Sequence, residues 1–135
     1  MNKFIIPTPI YEEMILHGSA NLPYEVCGLL AGFGSEVKSI WKLENERKSE
    51  KSFFVSKQVV EETLKYISER KEQVLAVYHS HPTTAPVPSS MDIHNHQEEE
   101  IKMVIISYKY KHPEMKCYQV INNGYMECPF FIKTP

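Results

Sequence analysis

Val74-Leu75-Ala76-Val77-Tyr78-His79-Ser80-His81-Pro82-Thr83-Thr84-Ala85-Pro86-Val87-Pro88-Ser89-Ser90-Met91-Asp92 is the stretch on which the reading of this chain turns. Its first five residues form a short apolar run, the pattern of a buried strand. Side chains alternate across a strand, so His79 and His81 at its end share one face while Ser80 points to the other. Two same-face imidazoles supply two metal ligands, and a catalytic zinc commonly takes three protein ligands and a water. Asp92 is the third candidate. It is the single aspartate in a chain whose other acids are all glutamates. The prolines Pro82, Pro86 and Pro88 stiffen the loop that returns Asp92 to the histidines.

Outward from this stretch, the order of elements is α+β, a mixed β-sheet flanked by helices. Thr8 reads as an N-cap with Pro9 at the first helical position and Glu12 and Glu13 in the first turn. Ile10, Tyr11, Met14 and Ile15 form the helix's apolar stripe, which ends near Gly18, with His17 complementing the dipole. Glu25 to Ala31 leads into a strand, and Gly32-Phe33-Gly34 turns the chain into a second one through Val37 to Leu43. A charged loop, Glu44 to Lys51, follows. Phe53-Phe54-Val55 reads as a short strand, and Ser56 caps a helix with Val59, Val60, Thr63, Leu64 and Ile67 on its apolar face. After the histidine strand a short helix runs from Ser89 to about Glu98, with Ser89 or Ser90 as its cap. Ile101 to Ser107 is a buried strand, and Met115 to Ile121 pairs with Tyr125 to Ile132 across a hairpin at Asn123-Gly124.

The 135 residues fit a single domain, 1–135, with 42% hydrophobic and 24% charged residues. A net charge of −2 gives no bulk electrostatic reason to expect nucleic acid. No apolar run reaches 18 residues, so no membrane span is expected. The start, Met1 to Pro7, lacks the pattern of a secretory leader. Cys27, Cys117 and Cys128 are odd in number and far apart, which fits a reduced, cytoplasmic protein with small core cysteines. A zinc with an open position would polarise a carbonyl and lower the pKa of its water, and hydrolysis would then need a base and an oxyanion donor. Sixteen glutamates compete for the role of base, and the residues alone do not choose among them.

His79-Ser80-His81-Pro82, the ten-residue gap and Ser89-x-x-Asp92 together resemble the JAMM motif of the MPN (JAB) domain metalloproteases. Pro23-Tyr24-Glu25-Val26-Cys27-Gly28-Leu29-Leu30-Ala31-Gly32 resembles that family's first block, whose glutamate is catalytic. The resemblance implies the MPN/JAB fold, a cytidine-deaminase-like architecture. It implies one Zn2+ per chain held by His79, His81 and Asp92, with Glu25 as the base that activates the water and later protonates the leaving amine. Ser89 becomes the hydroxyl that holds the water and the tetrahedral oxyanion. The implied substrate is a ubiquitin-fold protein with a Gly-Gly tail. The chain is close to the minimal core, without room for the insertions of eukaryotic deubiquitinases, and is similar to small stand-alone prokaryotic members. These are expected to trim sulfur carrier proteins. The alternatives are a peptidase or amidase acting on other small conjugates, and a non-catalytic MPN scaffold. A nucleoside deaminase would need His-x-Glu and Pro-Cys-x-x-Cys, which the sequence lacks. His94 and His96 leave a second metal open, with exposed helix histidines as the default reading, and the oligomeric state is left open too.

Overall fold

The computed structural model describes residues 3–134. Met1 and Asn2, part of the N-terminal stretch read for a leader, lie outside the described residues, as does Pro135. The elements are β1 (Phe4–Pro7), α1 (Thr8–Ala20), β2 (Cys27–Phe33), β3 (Glu36–Leu43), α2 (Lys57–Glu69), β4 (Gln73–His81), α3 (Ser90–Asn95), β5 (Lys102–Ser107), β6 (Glu114–Ile121), β7 (Gly124–Cys128) and β8 (Phe130–Lys133). The architecture is the expected α+β mixed sheet with flanking helices. Among the described residues no helix is long and apolar enough to cross a membrane.

The eight strands form one sheet in the order β7-β6-β5-β4-β2-β3-β1-β8. Its two edge strands, β7 and β8, are separated in sequence by Pro129 alone. Cys128 and Phe130 can therefore be no more than about 7 Å apart, and the sheet must curl until its edges approach each other. Helix α1 fills the concave side. Ile10 and Met14 are buried there against Phe4, Ile6, Leu30, Val37, Tyr78, Val104, Ile106 and Cys117, with Tyr11 and Ile15 packed alongside. The convex side carries two smaller clusters. Ile67 of α2 packs with Cys27, Leu29, Ala31 and Leu43, and Ile93 of α3 packs on Met103, Ile105, Tyr118 and Val120.

Several local expectations change. Helix α1 begins one residue earlier than a Thr8 cap requires: Pro7 is the N-cap, Pro9 is in the first turn, and Glu12 and Glu13 fall beyond it. The Thr8 hydroxyl instead donates to the Lys133 carbonyl at 3.2 Å, tying the helix start to β8. The helix also passes Gly18, which lies so close to the Tyr108 ring that a Cβ there would collide with it. His17 does lie in the last turn of α1, but it is part-buried rather than open to solvent. Burial, with Lys42 adding to it, holds its pKa below the ordinary imidazole value, and its Nδ1 pairs with the Tyr78 hydroxyl at 2.7 Å.

Phe53-Phe54-Val55 is a loop rather than a strand. Ser56 does cap α2, its hydroxyl accepting from the Val59 N–H at 3.4 Å, but of the expected apolar face only Ile67 is buried, and Val59 and Leu64 are exposed. Helix α3 stops at Asn95, short of Glu98. The last hairpin turns at Asn122-Asn123, both at positive φ (52° and 61°), the type I′ geometry, with Ile121 facing Gly124. Tyr125 to Ile132 is not one strand, because Pro129 has no N–H to continue the ladder and the chain crosses there to the other edge.

Candidate metal centre

Strand β4 is central in the sheet, between antiparallel β2 and parallel β5. Its alternation sends Ala76 and Tyr78 into the α1 core and Val77, His79 and His81 to the convex face. His79 and His81 are both buried, and so is Ser80 on the opposite face. Ser80 fastens the strand end to β2, its N–H donating to the Val26 carbonyl at 3.0 Å and its hydroxyl accepting from the Val26 N–H at 2.8 Å. Phe53 lies against the His79 ring, with centroids 5.2 Å apart.

Asp92 arrives on the first turn of α3. Ser89 caps this helix by a reciprocal box: its hydroxyl accepts from the Asp92 N–H at 3.0 Å, and its own N–H donates to Asp92 Oδ2 at 2.9 Å. The preceding loop is held by the Ser107 hydroxyl, which donates to the Thr84 carbonyl at 2.5 Å, and by the Tyr118 hydroxyl, which donates to Pro86 O. Asp92 Oδ2 thereby stands 3.1 Å from both His79 Nε2 and His81 Nε2, while the two imidazole nitrogens are 3.2 Å apart. Among the described residues this is the cluster of three such side chains that could hold a metal ion.

The donor set itself tests the fit. His81 Nδ1 lies 2.8 Å from the Ala85 carbonyl, which can only accept, so Nδ1 carries a proton and the neutral ring presents a bare Nε2. That lone pair then faces a carboxylate oxygen and a second imidazole nitrogen at hydrogen-bond distance. With both rings neutral and bare at Nε2, three lone pairs converge on one point, an arrangement that a proton or a cation among them stabilises. Ligands about 2.0–2.1 Å from a tetrahedral zinc stand roughly 3.3 Å from one another, close to the spacing found. A second-sphere acceptor on the far ring nitrogen, here Ala85 O, is also what a metal-bound histidine commonly has. Without a metal, burial opposes ionisation of Asp92, but hydrogen bonds from His79 and His81 and the charge of His79 outweigh it and hold the carboxyl well below its usual range. Burial likewise opposes charge on His81, and its contacts to Asp92 and Ala85 reverse the balance and raise its pKa.

Glu25 lies just before β2. Cys27 pairs with His79, and the Val26–Ser80 hydrogen bonds carry this register onward, which sets Glu25 opposite His81 on the convex face. Its residue exposure is only 4%, and its Oε1 is buried without a hydrogen-bond partner. Burial lifts the carboxyl to about 8, with opposing influences from His81 and Asp92. Buried orphan oxygens are rare and call for an explanation. Cys27 is no nucleophile, since burial, reinforced by Glu25, pushes its thiol up to about 12.

A cleft of about 460 Å³ leads to the cluster along the convex face, with Leu29, Phe53, Val55, Val77 and Met103 among its walls and His79 and Asp92 at its end. His96 does not join the cluster: its Nε2 bonds the Ile101 carbonyl at 2.6 Å, and His94 is exposed. Cys117 is buried in the α1 core on the other side of the sheet. Sequence reasoning overlooked Asn45, which reaches the Glu25 main chain from within the charged loop. One asparagine among lysines and glutamates carries no signal by itself.

A curled mixed sheet around one helix, with a His-His-Asp cluster on its outer face, is an MPN/JAB-type domain. The chain belongs to the family of prokaryotic homologs of the JAB domain, whose model matches residues 7–121. The CysO-cysteine peptidase of Mycobacterium tuberculosis is 24% identical over 128 residues, covering 93% of this chain and 88% of that relative. The desampylase of Pyrococcus furiosus is 26% identical over 108 residues, 80% of this chain and 76% of its own. Among solved structures, a protein from Desulfitobacterium hafniense superimposes with a TM-score of 0.86 at 26% identity, covering 97% of this chain and 93% of that one. A JAB1/MPN domain protein from Archaeoglobus fulgidus shares the fold, with a TM-score of 0.69 at 18% identity over 98% and 100% of the two chains.

Proposed function

We propose that this protein is a zinc-dependent peptidase that hydrolyses the amide bond following the C-terminal Gly-Gly of a ubiquitin-fold protein, with a sulfur carrier as the substrate. The observation that carries the reading is the convergence of His79 Nε2, His81 Nε2 and Asp92 Oδ2 within 3.2 Å of one another. In this reading His79, His81 and Asp92 hold one zinc per chain. The bound ion supplies a polarised carbonyl and a water of lowered pKa. Glu25 is the proton carrier, taking a proton as the nucleophile forms and returning it to the leaving amine. Burial raises the proton affinity of this carboxyl and a neighbouring dication would lower it, so the ionised form needed of a base depends on the metal. The Ser89 oxygen accepts from Asp92 N–H, which leaves its own O–H free to donate to a developing oxyanion. Helix capping and oxyanion binding thus use different atoms of one residue.

The apolar cleft seats the residues before the scissile bond in extended form, and its walls exclude water from the reacting carbonyl. The names of the two peptidase relatives support amide hydrolysis on a small ubiquitin-like protein. The test is mass spectrometry of C-terminally extended ubiquitin-fold sulfur carriers incubated with the protein, with and without a chelator. Cleavage directly after Gly-Gly that stops with chelator is expected. A zinc-loaded protein that leaves every such carrier intact would overturn the substrate assignment.

A further inference from the structure

The two main-chain polar groups of Glu25 are held by the loop between β3 and α2. Its N–H donates to the Ser49 carbonyl at 2.8 Å, and its carbonyl accepts from Asn45 Nδ2 at 3.0 Å. Glu25 stands just beyond the last β2–β3 pair, Cys27 with Leu43, so no neighbouring strand fixes it on that side. Asn45 is saturated. Its second Nδ2 bond goes to the Ser52 carbonyl at 3.1 Å, and its Oδ1 accepts from the Arg47 N–H at 3.1 Å and the Phe54 N–H at 3.0 Å. Both donors and both lone pairs of the amide are therefore in use. The same half-buried side chain clamps the Phe53–Phe54 wall of the cleft and the backbone of Glu25. The Glu25 carboxylate has no bond of its own on Oε1 to keep it in place.

We propose that Asn45 is a positioning residue that sets Glu25 against the His79–His81–Asp92 cluster, its Nδ2 arm holding the base and its Oδ1 arm holding the cleft wall. This rests on the reading of Glu25 as the proton carrier. Asn45→Asp keeps an acceptor for the Arg47 and Phe54 N–H groups but sets a carboxylate oxygen against the Glu25 and Ser52 carbonyls, so the base and the Ser52 edge of the wall are released while Phe54 stays tied. Asn45→Gln retains every donor and acceptor one methylene further out.

The experiment pairs amide hydrogen exchange with steady-state kinetics on the zinc-loaded full chain, using a C-terminally extended ubiquitin-fold sulfur carrier as the probe. In Asn45→Asp, exchange at the Glu25 amide, which bonds Ser49 in the loop that Asn45 braces, is expected to speed up about tenfold or more as that loop loosens, with Tyr78 and Val104 unchanged. A misplacement of the order of 1 Å lowers rates about 10²-fold, so kcat is expected to fall by roughly 10- to 100-fold with KM and zinc content unchanged. Asn45→Gln is expected to recover part of the lost kcat. Unchanged exchange at Glu25, an unchanged kcat despite faster exchange, or loss of zinc in Asn45→Asp would each overturn the proposal. If the wild-type protein cleaves none of the carriers, the proposed function fails, and exchange at Glu25 still decides whether Asn45 holds that residue.

Discussion

Replacing Glu25 by Gln in the metal-free protein should make it more stable at alkaline pH, and by an amount that grows with pH. Glu25 is buried, with one oxygen unpartnered, and its pKa rises from 4.5 to about 8. The folded-state value lies above the unfolded one. The carboxyl's contribution to stability is therefore full below about pH 4.5 and is lost as pH rises through about 8. A tenfold change in proton affinity corresponds to about 1.4 kcal/mol, which sets an upper bound of about 5 kcal/mol. Partial access of solvent to the carboxyl screens this, and about 2–3 kcal/mol is the expected difference at pH 8.5. The glutamine side chain keeps the shape of the protonated acid but never ionises. In a domain of this size that difference amounts to roughly 8 °C in melting temperature. The assay is thermal or urea unfolding of both proteins in excess chelator from pH 4.5 to 9. The two curves should nearly coincide at pH 4.5, diverge steadily from there to about pH 8 and run parallel above it. His81 and Asp92 titrate in both proteins, so the divergence isolates Glu25 and its coupling to them. Parallel curves across the range would refute a buried, pKa-shifted Glu25.

Three further outcomes follow from particular contacts. Gly28→Ala should destabilise the fold by about 1–3 kcal/mol or more, because a Cβ there would stand 2.5 Å from Tyr78 Cζ and 2.6 Å from the Trp41 carbonyl; a wild-type melting temperature would contradict the packing of β2 on β4. Ser89→Ala should lose about 1 kcal/mol of stability from the broken cap and, if the hydroxyl also binds the oxyanion, a much larger factor in kcat than in KM; loss of stability alone would leave Ser89 as a cap. Cys27→Ala should leave peptidase turnover within a fewfold of wild type, and thiol alkylation of the native protein at pH 8 should be slow, since the thiol is buried and its pKa is pushed up to about 12; rapid alkylation at Cys27 would contradict that burial.

The parts of the structure legible in the sequence are those with local signals. The apolar run ahead of His79, period-two alternation at its end, and the lone aspartate behind a proline-stiffened loop led to the three donors that the fold brings together. The hairpin was visible through Asn123-Gly124, and its type I′ turn falls one residue earlier, at Asn122-Asn123. What was not legible depends on partners far away in the chain. β1 pairs with β8, more than a hundred residues later, and four residues ahead of a helix carry no sign of that. β7 and β8 look like one strand until the sheet's curl sends them to opposite edges across Pro129. Phe53-Phe54-Val55 has strand composition, but Asn45 Oδ1 takes the Phe54 N–H and Phe53 rests on His79. Glu25 had no local mark among sixteen glutamates. Resemblance to the JAMM proteases singled it out, and the orphaned Oε1 and raised pKa are physical features that only the fold creates.

The claim on which the rest depends is that His79, His81 and Asp92 bind a metal ion. Calorimetric titration of the chelator-stripped protein with zinc, alongside elemental analysis of the purified chain, tests it directly. One zinc per chain in the wild type and none in Asp92→Ala, with both proteins folded by circular dichroism, is the predicted result. A wild-type protein that takes up no zinc, or an Asp92→Ala variant that binds it as well as the wild type, would contradict the account.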